Sequence, residues 1–116
     1  MITSTVAQSH AVCAQCGLTS HAGALDQAAL AASAATLAAL ADPIRLGIVE
    51  LLSRHERMCV CDIVTAFDVG QPTVSHHLRV LREAGVVDVI RRGPWAYYGL
   101  RRDTLKRAAQ DLVRLL

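Results

Sequence analysis

Four cysteines stand in two pairs, Cys13-Ala14-Gln15-Cys16 near the start of the chain and Cys59-Val60-Cys61 in the middle of its 116 residues. Thiolates are soft, charged ligands, and four of them around one ion make a tetrahedral S4 site that selects soft or borderline metals. The first pair has the CxxC spacing common to zinc and redox sites. The second is tighter, and residues two apart on a helix turn to opposite sides. Cys59 and Cys61 therefore face one ion only if the segment is extended, or if one of them is the first non-helical residue beside a helix. The same thiols can close instead into disulfides, Cys13 with Cys16 or Cys59 with Cys61, and answer to oxidants rather than metals. His10 and His21 flank the first pair and read as solvated side chains of a polar segment.

The second pair leads directly into a different kind of pattern. Ile63, Val64 and Phe67 predict a short helix, and Asp68-Val69-Gly70 a tight turn. From Pro72 onward, Val74, Leu78 and Leu81 share one face at spacings of four and three, until Ala84 and Gly85 close the helix. That spacing leaves Gln71, Thr73, Ser75, His76 and Arg79 on the open face, whereas His77, three residues after Val74, leans inward as a hydrogen-bonded histidine. The period then drops to two. Val87, Val89 and Arg91 alternate with Asp88, Ile90 and Arg92, and after Gly93-Pro94 the segment Trp95 to Leu100 returns as a second strand.

A short helix, a turn containing glycine and a second helix with a polar, basic face form a helix-turn-helix, and the hairpin makes it a winged one. Arg79, Arg91 and Arg92 suit phosphates. Gln71, Thr73, Ser75 and His76 have the size and chemistry for base edges or phosphate oxygens. The charge distribution agrees, because the net charge of +2 is unevenly spread. Arg79, Arg82, Arg91, Arg92, Arg101, Arg102, Lys106 and Arg107 outnumber Glu83, Asp88 and Asp103 in the later part, whereas acids outnumber bases before residue 71. A polyanion meets that half first.

Three further helices are expected to carry this unit. The Ala-rich run with Leu25, Leu30, Leu37 and Leu40 predicts a helix ending near Ala41. Asp42 as N-cap with Pro43 behind it opens a second, with Ile44, Ile48, Leu51 and Leu52 as its stripe. Asp103 is the N-cap candidate of the last, which aligns Leu105, Ala108, Ala109, Leu112, Val113 and Leu116. Two apolar terminal helices without an internal partner point to a homodimer, and a chain this short gains from one. Residues 1–22 show no period and read as a cysteine-bearing arm, with residues 23–116 as the DNA-binding and dimerisation domain. The uncharged run between Asp26 and Asp42 is too short and weakly apolar to span a bilayer, and no secretion signal is visible. A cytoplasmic location, with reduced thiols, is expected. No phosphate-cradling loop and no catalytic triad is present, so the residues argue against an enzyme.

The segments ADPIRLGIVELL, CVCDI, QPTVSHHLRVLREAGVV and RRGPWAYYGL resemble the ArsR/SmtB family of metal-sensing repressors over about residues 25 to 116. The resemblance implies a mainly α, homodimeric winged helix-turn-helix that leaves its operator when metal binds. By it, Gln71, Thr73, Ser75, His76 and Arg79 lie on the recognition helix, and Arg91, Arg92 and Gly93 on the wing. The pairing of N-terminal cysteines with a CVC is similar to the cadmium and lead sensors of the family, which makes Cys13, Cys16, Cys59 and Cys61 the ligands of Cd(II) or Pb(II). Two departures matter. The arm spacing is one residue shorter than in those sensors, and Val64 stands where the family's arsenic sensors often have a third cysteine. As(III) then needs an arm cysteine for trigonal binding, Hg(II) is satisfied by two or three thiolates, and Zn(II) is a further soft-site candidate. The family's other site, built from histidines and carboxylates on the last helix, finds no histidine between 103 and 116. The rival expectation on the same scaffold is a thiol redox regulator.

Overall fold

The computed structural model describes residues 25–116, so Cys13, Cys16, His10, His21 and the expected arm lie outside the described residues. The helices are α1 (Gln27–Leu40), α2 (Pro43–Ser53), α3 (Val60–Val64), α4 (Gln71–Glu83) and α5 (Arg102–Val113), and the strands β1 (Met58–Cys59), β2 (Val87–Arg92) and β3 (Trp95–Leu100). Ala32–Leu116 forms the packed unit.

Local chemistry sets most of the boundaries. Asp42, in an extended conformation, accepts hydrogen bonds from the backbone N–H groups of Ile44 at 2.9 Å and Arg45 at 3.1 Å, and Pro43 follows it in the first turn of α2. The bond from Arg45 is the chief reason that the Asp42 carboxyl titrates below its usual range; loss of water opposes it, and the Ile44 N–H and the charge of Arg45 add to it. At the other end of the reading helix, Gly85 takes a φ of +77°. Its N–H bonds to the carbonyl of Arg82 at 3.0 Å and the Val86 N–H to that of Leu81 at 2.9 Å, the paired closure of a Schellman motif.

The faces of α2, α3 and α4 meet in one core. Ile48, Leu52, Ile63, Val74, Leu78, Leu81, Val86 and Val87 are fully buried there. β2 and β3 pair antiparallel from Val87 opposite Leu100 to Arg92 opposite Trp95, joined by Gly93-Pro94 with Gly93 at φ +60°. A third strand, which the sequence pattern did not predict, is β1: Met58 pairs with Tyr98 and Cys59 with Tyr97, giving the sheet order β1-β3-β2. Two residues are too few to carry a period.

Two expectations need correction. The third helix ends at Val64, and Phe67 sits in a longer turn running from Thr65 to Gly70, its ring packed over Gly47, where an added Cβ would lie 3.0 Å from the ring. The cap of α5 is Arg101 rather than Asp103, which lies in the first turn and accepts from Arg101 at 3.4 Å. The face that α1 buries is Ser33, Thr36 and Ala39, with Leu40 packed against the core, while Leu30 and Leu37, and Leu25 before the helix, are exposed. Thr36 satisfies its hydroxyl on the Ala32 carbonyl at 3.2 Å, and Ser33 donates to the Asp111 carboxylate of α5.

Gly85→Ala forces a left-handed conformation on a residue with a Cβ and is expected to cost about 1–2 kcal/mol, read as a lower urea midpoint at unchanged slope. A carboxyl lowered in the folded state stabilises the fold above its unfolded value of 3.8, and that share is lost as pH falls through the lower folded value. Asp42→Asn is therefore expected to flatten the fall of thermal midpoint below about pH 4, and an equally steep fall contradicts the assignment.

Candidate nucleic-acid interface and thiol pair

Burial of Val74, Leu78 and Leu81 fixes which side of α4 faces outward, and Gln71, Thr73, Ser75, His76 and Arg79 are all exposed on it. Arg79 Nη2 lies 3.3 Å from Nδ1 of His76, so these two side chains are held as neighbours. His77 points inward, its side chain 12% exposed, with Nδ1 3.2 Å from Arg45 Nη1. Arg91 and Arg92 are exposed at the end of β2, next to the hairpin turn.

The structure also draws Arg57 to the wing. It donates to the Tyr97 carbonyl at 3.3 Å and pairs with Asp88 at 2.8 Å, spanning β1's approach and both wing strands. With Ile90, Arg92 and Tyr97 it lines a cleft of about 290 Å³ on the wing. Arg57 carries no signal in the sequence, where it belongs to a polar break between two helices, because only the pairing of β1 with β3 brings it to the sheet.

Cys59 ends β1 and is also the N-cap of α3, with φ −70° and ψ 147°. Its Sγ accepts the backbone N–H of Cys61 at 3.3 Å. This extended conformation at the helix start lets side chains two apart meet. The Cα atoms are 5.3 Å apart and the two sulfurs are joined as a disulfide. Cys59 is buried and Cys61, in the first turn, is exposed. When reduced, the pair offers two adjacent thiolates. Among the described residues no group of three or more His, Cys, Asp or Glu side chains gathers into a metal site. Cys13 and Cys16 lie outside the described residues.

Residues 42–89, from the cap of α2 into β2, match the model of the bacterial regulatory protein arsR family. An uncharacterized HTH-type transcriptional regulator of Methanocaldococcus jannaschii is 40% identical over 78 residues, covering 67% of this chain and 83% of the relative. The arsenical resistance operon repressor of Escherichia coli is 51% identical over 61 residues, which is 53% of this chain and 52% of the repressor. The chain thus spans only about half the length of that second relative. Among solved structures, the homodimeric winged helix-turn-helix DNA-binding domain of a possible ArsR-family regulator from Mycobacterium bovis superposes with a TM-score of 0.64 at 31% identity, covering 77% of this chain and 82% of that one. The order of elements, the polar face of α4, the two-stranded wing and these likenesses agree: the chain is a winged helix-turn-helix protein and belongs to the arsR family of bacterial transcriptional regulators.

Proposed function

We propose that this chain is a repressor that grips operator DNA as a homodimer and releases it when a thiophilic metal ion binds its cysteine thiolates. One observation carries the reading. Cys59 is at once the last residue of β1, paired to Tyr97 of the wing, and the cap of α3, the first helix of the reader. A ligand on its sulfur acts on both DNA-facing parts together. The arsenical resistance named in the Escherichia coli relative supports a thiophilic inducer.

In this reading Gln71, Thr73, Ser75 and His76 meet base edges, while Arg79, Arg91 and Arg92 neutralise phosphates. Cys13 and Cys16 complete the ligand set with Cys59 and Cys61. Cd(II) or Pb(II) suits four thiolates, As(III) three, Hg(II) two or three, and Zn(II) a tetrahedral set. The dimer covers apolar side chains that the single chain leaves exposed, Leu37 in α1, Leu112 and Val113 at the end of α5, and Leu115 just past it. The homodimeric state of the Mycobacterium bovis relative supports it. Among the described residues no helix is long and apolar enough to cross a membrane. A reducing cytoplasm keeps the thiols free for metal.

A second reading has its own observation, the bond between Cys59 and Cys61. A thiol redox regulator on this scaffold loses DNA on treatment with peroxide in the absence of metal, and recovers it with reductant.

Anaerobic titration of the reduced protein on DNA, with each ion in turn, separates the two readings when thiolate-to-metal absorption and DNA release are followed together. Coupling of about 1–3 kcal/mol predicts a several-fold to hundred-fold loss of affinity on metal binding. Cys59→Ser and Cys61→Ser are expected to bind DNA as the parent does and to lose the metal response; normal release from the double variant contradicts the metal reading. Arg91→Ala and Arg92→Ala are each expected to weaken binding evenly across sequences and to reduce the slope of log affinity against log salt by about one. An unchanged slope removes the wing arginines from the interface.

A further inference from the structure

Apolar contacts set how deep α4 sits, but they do not fix its rotation and slide as sharply as directional bonds do. Among the described residues, a polar cluster at His77 ties α4 to its neighbours. Arg45, in the first turn of α2, donates from Nε to the carbonyl of Ala39 at 2.6 Å and holds Nη1 3.2 Å from Nδ1 of His77. Ala39 lies in the last turn of α1 and His77 near the middle of α4. Asp42, which accepts the Arg45 backbone N–H, has Oδ2 3.9 Å from the same imidazole nitrogen. A guanidinium only donates, so Nδ1 of His77 is the accepting nitrogen and the ring proton sits on Nε2. The two Arg45 bonds use different nitrogens of one rigid plane, a geometry that a lysine ammonium does not reproduce.

We infer that Arg45 and His77 are positioning residues for DNA reading: the guanidinium ties the end of α1 to the recognition helix and sets the angle at which α4 presents Gln71, Thr73, Ser75, His76 and Arg79. His77 adjoins the reading residue His76, their rings 5.5 Å apart edge to face, so a shift of His77 displaces the reading face directly. Neither residue reaches DNA in this account. Their effect falls on contacts that depend on orientation, the base edges, and spares the phosphate attraction that depends on charge alone.

The inference rests on α4 as the DNA reader and not on the thiol site, so its test uses reduced, metal-free, full-length protein and stands apart from the metal response. The probes are a duplex enriched by the parent protein from a random-sequence pool and an unrelated duplex of the same length. His77→Leu fills the space but accepts nothing, Arg45→Lys keeps the charge but not the fork, and His77→Gln restores an accepting oxygen. His77→Leu and Arg45→Lys are expected to lose about tenfold in affinity for the enriched duplex while binding the unrelated one as before, with His77→Gln recovering most of the loss. The inference is overturned if His77→Leu and Arg45→Lys keep the parent's preference, if both duplexes are lost in parallel with a lower melting temperature, or if His77→Gln behaves as His77→Leu.

Discussion

Backbone pairing between Met58-Cys59 and Tyr97-Tyr98 binds the start of α3 to the returning strand of the wing, and the placement of both thiols follows from it. Because the strand holds Cys59 extended and the helix begins at the next residue, Cys59 and Cys61 end up side by side rather than on opposite faces of a helix. The same pairing carries Arg57 onto the sheet, where it bonds to Tyr97 and Asp88. Chemistry at sulfur and geometry at the wing therefore share one short segment of chain. In the proposed reading, that sharing is what gives a sulfur ligand purchase on both the recognition helix and the wing.

Much of this was legible in the sequence. The spacing of Val74, Leu78 and Leu81 is long and regular enough to define both the buried side of α4 and its reading side. The switch from a helical to a two-residue period, with Gly93-Pro94 at the turn, marks the wing for the same reason. Asp42 with Pro43, and Gly85 after Ala84, are local signals that need no tertiary information.

What was not legible depends on contacts distant in sequence. β1 is a strand only because β3 lies beside it, and two residues show no alternation. The buried face of α1 is Ser33, Thr36 and Ala39, small and polar side chains that a search for apolar stripes passes over in favour of Leu30 and Leu37. The leucines left outside are the part a partner has reason to cover. The Arg45 tie joins Ala39 to His77, and nothing in the local pattern around Arg45 shows that its guanidinium turns inward.

The central claim is that ligand binding at Cys59 and Cys61 acts on the wing through β1. Amide hydrogen exchange of the reduced protein, with and without the inducing ion, tests it at the residues concerned. The account predicts that metal changes protection at Tyr97 and Tyr98 as well as at Cys61, and that Cys59→Ser abolishes the change at all three. Protection that changes at α3 while the paired amides of β3 stay as they were would contradict it.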